Sequence, residues 1–251
     1  PDLNEELDDS QLTGTVKLAY HPNDNTLTYA SFATGYKAGG TNTDRILPSL
    51  SPLFDAEKSR SAEIGIKHDF EEYGVRVNAA AHYTQISDFQ ATTFTGTGFN
   101  LQNAGDIIVK GIELEATWLM TESTELHAVA SRTLANFDEF KRGTCWVAYT
   151  WHTGIDDPGR VEPNDPFCSR DGDRVGFEPQ NSLSLMLNHY FEVGNYPASA
   201  SIDYQYTGDV FLDDANDPYK YADDFSLFNV RVSFTIPQWD SEIIAWSRNV
   251  F

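Results

Sequence analysis

Apolar and polar residues alternate with a period of two along most of the chain, and the longer period of an amphipathic helix is hard to find. Over 225–236, Phe228, Val230, Val232, Phe234 and Ile236 fall on one face, with Asn229, Arg231, Ser233 and Thr235 on the other. In 198–207, Ile202, Tyr204 and Tyr206 oppose Ser201, Asp203, Gln205 and Thr207. Ile64, Ile66 and Phe70 oppose Glu63, Lys67 and Asp69; Ile112, Leu114 and Trp118 oppose Glu113, Glu115 and Thr117. Leu183, Leu185, Leu187 and Phe191 share a face. This pattern predicts ten strands, near 11–20, 26–36, 58–70, 75–90, 102–118, 125–137, 180–191, 198–209, 224–236 and 242–249. Most exceed the ~5–6 residues usual in soluble domains and match the ~9–11 needed to cross a bilayer at a tilt.

The connections alternate short and long. Pro22 to Asn25, Glu71 to Gly74, Met120 to Thr124, Gly194 to Pro197 and Gln238 to Ser241 are short; 37–57, 91–101, 138–179 and 210–223 are long. Each strand pair is therefore a hairpin, and every long loop emerges at one end. Transmembrane barrels have this asymmetry, whereas a soluble sandwich has less reason to sort its loops. Phe70, Tyr73, Trp118, Phe191, Tyr196 and Trp239 cluster beside the short turns, as an interfacial aromatic girdle does.

Composition narrows the picture. Aromatics make up 13% of the 251 residues while hydrophobic residues make up only 40%, which suits pleated strands and not a helical membrane protein. No apolar run approaches the ~18 residues of a membrane-spanning helix. A net charge of −21 repels nucleic acid, whose phosphates need Lys and Arg; it fits acidic outer loops or an ordinary acidic surface. Cys145 and Cys168 share one loop rich in Gly, Pro and Asp, which reads as a disulfide in an oxidising compartment, the alternative being two free thiols. The chain opens at Pro1-Asp2-Leu3-Asn4 and stops at Asn249-Val250-Phe251 in what reads as mid-element, so it reads as a fragment.

Catalytic chemistry is not evident. Gly35, Gly39 and Gly40 precede no Lys-Ser/Thr pair, and Gly-Xaa-Ser-Xaa-Gly is missing. His21, His68, His82, His127, His152 and His189 are scattered, mostly on strands. Asp213, Asp214, Asn216 and Asp217 offer oxygens for Ca²⁺ without the spacing of an EF-hand, so solvated charge is the simpler reading. No cofactor or catalytic metal is expected.

Several ordered segments resemble TonB-dependent receptors of the iron-complex type. They are Tyr29-Ala30-Ser31-Phe32-Ala33-Thr34-Gly35-Tyr36-Lys37-Ala38-Gly39-Gly40, then Phe54-Asp55-Ala56-Glu57-Lys58-Ser59 with Ala62-Glu63-Ile64-Gly65-Ile66-Lys67. Asn103-Ala104-Gly105 with Gly111-Ile112-Glu113-Leu114-Glu115-Ala116 follows, and Ile244-Ala245-Trp246-Ser247-Arg248-Asn249-Val250-Phe251 is similar to that family's penultimate strand. The resemblance implies an all-β fold: part of an antiparallel 22-stranded outer-membrane barrel, with residues 1–251 as its C-terminal portion. The ten strands would be strands twelve to twenty-one, the plug domain, TonB box and final strand being absent. It further implies active import of a ferric siderophore or similar scarce nutrient. The implied partners are TonB, reached through the missing N-terminal region, a small-molecule ligand, and outer-membrane lipid and lipopolysaccharide. An outer-membrane barrel hydrolase and a soluble carbohydrate-binding β-domain are the alternatives.

Within that frame the loop 138–179 is the candidate ligand site. It carries Trp146, Tyr149, Trp151, His152, Phe167 and Arg160 between its cysteines, with Arg170 and Arg174 just beyond. Aromatic faces stack on siderophore rings, and Arg pairs with anionic groups through its planar fork. The neighbouring Asp156, Asp157, Asp171 and Asp173 give a second reading, in which acid–arginine pairs stiffen the loop.

Overall fold

The computed structural model describes residues 9–42, 51–94, 99–146, 156–160, 162 and 167–250. Ten antiparallel strands form one sheet in sequence order. They are β1 (Gly14–Asn23), β2 (Thr26–Lys37), β3 (Glu57–Phe70), β4 (Val75–Ser87) and β5 (Asp106–Thr121). Then come β6 (Thr124–Glu139), β7 (Asn181–Val193), β8 (Tyr196–Thr207), β9 (Phe225–Ile236) and β10 (Ser241–Ser247). The sheet does not close on itself: β1 and β10 are its two edges. No helix among the described residues is long and apolar enough to cross a membrane.

The short turns are tight for identifiable reasons. Glu71–Tyr73 make one 3₁₀ turn and Gly74 takes φ 61°, where a Cβ is disfavoured and would also meet the Leu119 carbonyl. Pro237–Trp239 repeat the device, with Asp240 at φ 46°. Around them Phe70, Tyr73, Trp118 and Trp239 stand exposed, as a girdle at the short-turn end requires.

Register settles which residues share a face. Ile66, Ala79, Leu114, Ala130, Leu183 and Tyr206 form one row across six strands. The adjacent row on the other face runs Tyr29, Gly65, Ala80, Glu113, Ser131 and Ser182. Ile202 pairs with Val230 and Tyr204 with Phe228, while Asp203 pairs with Asn229 and Ser201 with Arg231. The expected apolar and polar sets therefore lie on opposite faces.

Exposure shows which face is which. Along β3, Arg60, Ala62, Ile64 and Ile66 are exposed while Ser59, Ser61, Glu63 and Gly65 are half-buried. This inverts a soluble sheet. Side chains converge on the concave side of a curved sheet and spread on the convex side, so the polar face is concave and the apolar face convex. A transmembrane barrel needs that arrangement, with lipid outside and water within.

Two predicted strand ends are corrected. The strands expected over 75–90 and 102–118 are β4, ending at Ser87, and β5, running from Asp106 to Thr121. Asp88 at φ 56° and Gly105 at φ 90° break the ladder. Gln90–Phe94 and Phe99–Asn103 then pair as a separate hairpin above it. Gly105 admits no side chain, because a Cβ would lie 1.9 Å from the Glu139 carbonyl oxygen. The main buried apolar cluster sits here: Ala91, Ala104, Ile107, Phe137 and Phe140. It fills the long-loop end, where neither lipid nor an opposite wall covers the chain.

Candidate functional site

The loop between β6 and β7 is built around a covalent clasp. Cys145 and Cys168 form a disulfide with Cα atoms 5.1 Å apart, as expected, beside a two-residue ladder of Gly143–Thr144 with Phe167–Cys168. Beneath it lies an ion pair between Arg170 and Asp157, whose side chains are 2% and 0% exposed. Asp157 also accepts the Trp146 and Gly159 amides, each at 2.8 Å. Asp173 lies 3.3 Å from the Arg170 guanidinium. Burial nonetheless raises the Asp173 carboxyl above its ordinary range.

The same loop docks on the β8–β9 loop. The Trp146 indole N–H donates to the Ala215 carbonyl at 2.8 Å, and Arg170 donates to that carbonyl too. Arg174 donates to the Asp209 carboxylate at 2.6 Å and its carbonyl at 2.9 Å. Its backbone exchanges hydrogen bonds with the Asn216 amide. Arg174 holds the Asp209 carboxyl below the usual range through its hydrogen bond. Asp214 accepts the Gly176 amide at 2.9 Å, yet burial pushes its carboxyl up. The two loops thus form one interlocked cap at the long-loop end of the sheet.

Of the seven residues singled out from the sequence, Trp146, Arg170 and Arg174 come together in this cap, their polar groups spent on Ala215, Asp157 and Asp209. Arg160 pairs with Asp156 at 3.0 Å, which lowers the Asp156 carboxyl. Tyr149, Trp151 and His152 lie outside the described residues. Asp213, Asp214, Asn216 and Asp217 do not converge on a common point. Asp213 accepts the Ala215 and Asp217 amides and takes Lys220 at 2.8 Å, and Asp217 accepts the Tyr219 amide. Among the described residues the sole metal-sized group is Cys145, Asp157 and Cys168, and its sulfurs are consumed by the disulfide.

The concave face below the cap carries a polar wall that sequence reasoning did not assemble. Arg76 donates to Asp69 at 2.8 Å and Asn78 to Glu115 at 2.9 Å. His127 bridges Thr117 at 3.2 Å and Glu125 at 2.9 Å. Such pairs depend on register between strands, which alternation within one strand does not encode. The arrangement is a hydrated, charged wall leading away from a rigid outer cap; it holds no nucleophile–base pair among the described residues.

Comparison with known proteins agrees with this geometry. The family described as "TonB dependent receptor-like, beta-barrel" matches residues 3–250. The pesticin receptor of Yersinia enterocolitica is 34% identical over 113 residues, covering 44% of this chain and 16% of that protein. The chain therefore spans about a sixth of the length of that relative. Among solved structures, the ferric yersiniabactin uptake receptor FyuA from Yersinia pestis superposes with a TM-score of 0.70 at 21% identity, over 96% of this chain and 32% of that one. The ferric preacinetobactin receptor BauA from Acinetobacter baumannii gives 0.66 at 15% identity, over 95% and 32%. The copper transporter OprC gives 0.66 at 14%, over 95% and 33%. TonB-dependent receptors are outer-membrane transporters and not enzymes, which removes the hydrolase and the soluble carbohydrate-binding domain. The chain belongs to the TonB-dependent receptor family and is part of its outer-membrane β-barrel.

Proposed function

We propose that this chain is the C-terminal barrel portion of a receptor that imports a ferric siderophore, or a similar scarce-nutrient complex, by TonB-dependent active transport. The observation that carries the reading is the pairing of a cross-linked outer cap with a polar concave wall on a sheet that is apolar outside. Two unpaired edges in hydrocarbon are costly, because each bare N–H or C=O lacks a partner. With the chain spanning 32% of FyuA, the rest of a 22-stranded barrel and a plug domain bearing the TonB box supply what the sheet lacks. The ten strands count as twelve to twenty-one of that barrel.

The ferric-siderophore assignment draws on the 34% identity to the pesticin receptor and the likeness to receptors for ferric siderophores. In this reading Arg170 and Arg174 hold the cap in shape, and Trp146, Tyr149, Trp151, His152 and Arg160 lie on the loop that meets the ligand. The test is uptake of ⁵⁵Fe-loaded siderophores by energised cells whose only such receptor carries this barrel. Import that stops on removal of TonB supports the reading; import persisting without TonB overturns it. Replacing Trp146, Tyr149 and Trp151 with Ala tests the loop. Unchanged affinity in a loop that has become protease-sensitive would assign the aromatics to structure alone.

A further inference from the structure

The convex face carries an arrangement that a uniformly apolar lipid-facing wall does not need. Lys58 and Arg60 on β3, Lys110 on β5 and Arg132 on β6 all project from it. The register fixes this: Arg60 stands opposite Gln85, Lys110 opposite Tyr83 and Leu134, and Arg132 opposite Ile112. Lys110 and Arg132 are diagonal neighbours across β5 and β6, a spacing of ~7–8 Å that long side chains bridge. All four are exposed.

None of the four has a hydrogen bond or ion pair among the described residues, and that is unusual in this chain. Most other described cations have a carboxylate or ring. Arg76 has Asp69, Lys141 has Asp171, Arg170 has Asp157, Arg174 has Asp209 and Lys220 has Asp213. Lys67, also without a described partner, lies on the concave face beside Asn78. The nearest acid in register on the convex side, Asp106, is occupied by Gln85, Ser87 and the Asp88 amide. In a protein of net charge −21, carboxylates are abundant, yet these four cations face away from them.

Directly below them the apolar face is grooved. Ala79 and Ala81 on β4 floor a trough one strand wide, walled by Ile64 and Ile66 on β3 and by Ile112 and Leu114 on β5. Its volume is about 690 Å³, and Arg132 borders it. The cations sit toward the long-loop end of their strands, which is the outer side in this family. Lys110 is eight residues above the girdle residue Trp118, about 26 Å along the strand. That places it near the upper edge of a ~25 Å apolar band once the strand tilts.

We propose that this surface binds a phosphorylated, multiply acylated glycolipid of the outer leaflet, lipopolysaccharide, with its phosphates on Lys58, Arg60, Lys110 and Arg132 and one acyl chain in the Ala79–Ala81 trough. A free phosphate satisfies the cations but leaves the trough unused. A neutral lipid fills the trough but leaves four unpaired charges at the interface. Only a molecule joining both chemistries uses the whole surface. Tyr83 and Gln85, set between the cations by register, add hydrogen-bonding groups at headgroup level.

The experiment is titration of the complete receptor in nanodiscs, read by native mass spectrometry, with bisphosphorylated lipid A, dephosphorylated lipid A and inorganic phosphate as probes. Wild type is expected to retain bisphosphorylated lipid A. Substituting K58Q/R60Q/K110Q/R132Q, or removing the phosphates, should each weaken binding by about tenfold or more. If the fourfold variant does not insert, the pair K110Q/R132Q carries the same test. Ala81→Leu, which fills the trough and keeps every charge, should weaken bisphosphorylated lipid A and leave inorganic phosphate unaffected. Equal binding by the charge variant, equal binding of dephosphorylated lipid A, or displacement by equimolar inorganic phosphate overturns the proposal. Siderophore uptake is not the readout, so this proposal and the transport reading fail separately.

Discussion

Replacing Arg170 with Ala tests whether one buried ion pair holds the outer cap together. The Arg170 and Asp157 side chains are 2% and 0% exposed, so removing the guanidinium leaves a carboxylate sealed from water. Breaking a buried pair on one side costs about 3–5 kcal/mol. Asp157 keeps the Trp146 and Gly159 amides, which places the loss near the lower end of that range, about 3 kcal/mol. Arg170 also donates to Ala215, so the damage should reach the β8–β9 loop, while the sheet and its register stay intact. The assay is hydrogen exchange with mass spectrometry on the complete receptor, comparing peptides from 167–180 and 208–224 with peptides from β5 and β6. A loss of about 3 kcal/mol is a roughly 150-fold rise in local opening. Arg170→Met with Asp157→Asn removes both charges and keeps an oxygen for the two amides, so it should recover much of the protection. Unchanged exchange in Arg170→Ala, or a double variant worse than the single, would refute the reasoning.

Three further outcomes are expected. Reducing Cys145–Cys168, or replacing both with Ser, opens a ring whose ends are 23 residues apart; by loop-closure entropy this costs about 3.4 kcal/mol, read as faster proteolysis within 140–180 with barrel refolding unaffected. Val230→Arg, placed on the convex face opposite Ile202, should cost about 2–4 kcal/mol if near the bilayer midplane in urea titrations of the reconstituted receptor, whereas Asn229→Arg on the concave face should cost far less. Acid should loosen the cap. Asp209 is held below its ordinary pKa by Arg174, so its contribution is fully present above the unfolded value of ~3.9 and is lost as pH falls through the lowered one. Asp173 and Asp214, raised by burial, act oppositely: protonating them relieves buried charge and partly offsets the loss. Limited proteolysis from pH 6 to 3 should therefore show the acid step in wild type and not in Asp209→Asn; identical profiles would remove Asp209 as its source.

The barrel was legible because its two solvents impose opposite demands on neighbouring residues. Phe228, Val230 and Val232 against Asn229, Arg231 and Ser233 specify both a strand and its two faces, and the structure pairs them accordingly. The alternation of turns and loops likewise carried the topology. What alternation does not carry is where a strand leaves the sheet. Gln90–Phe94 and Phe99–Asn103 have strand-forming sequences, so the pattern runs straight through Asp88 and Gly105. Only the backbone, with both residues at positive φ, shows that the chain turns out of the ladder there.

The cap was half legible, for a physical reason. Cysteines sharing a loop announce a cross-link from sequence alone, because compartment and spacing leave few other uses for them. An arginine announces nothing comparable: the same guanidinium recognises an anionic ligand or neutralises a buried aspartate. Arg170 and Arg174 take the second course, and the deciding contacts come from Asp157, thirteen residues before Arg170, and from Asp209, thirty-five after Arg174. No local pattern links those positions. The same ambiguity runs the other way on the convex face. Lys58, Arg60, Lys110 and Arg132 look like ordinary strand polarity until register aligns them on one side and shows that no carboxylate has followed them. In a chain this acidic, the informative cations are those left unpaired, and finding them requires the whole sheet.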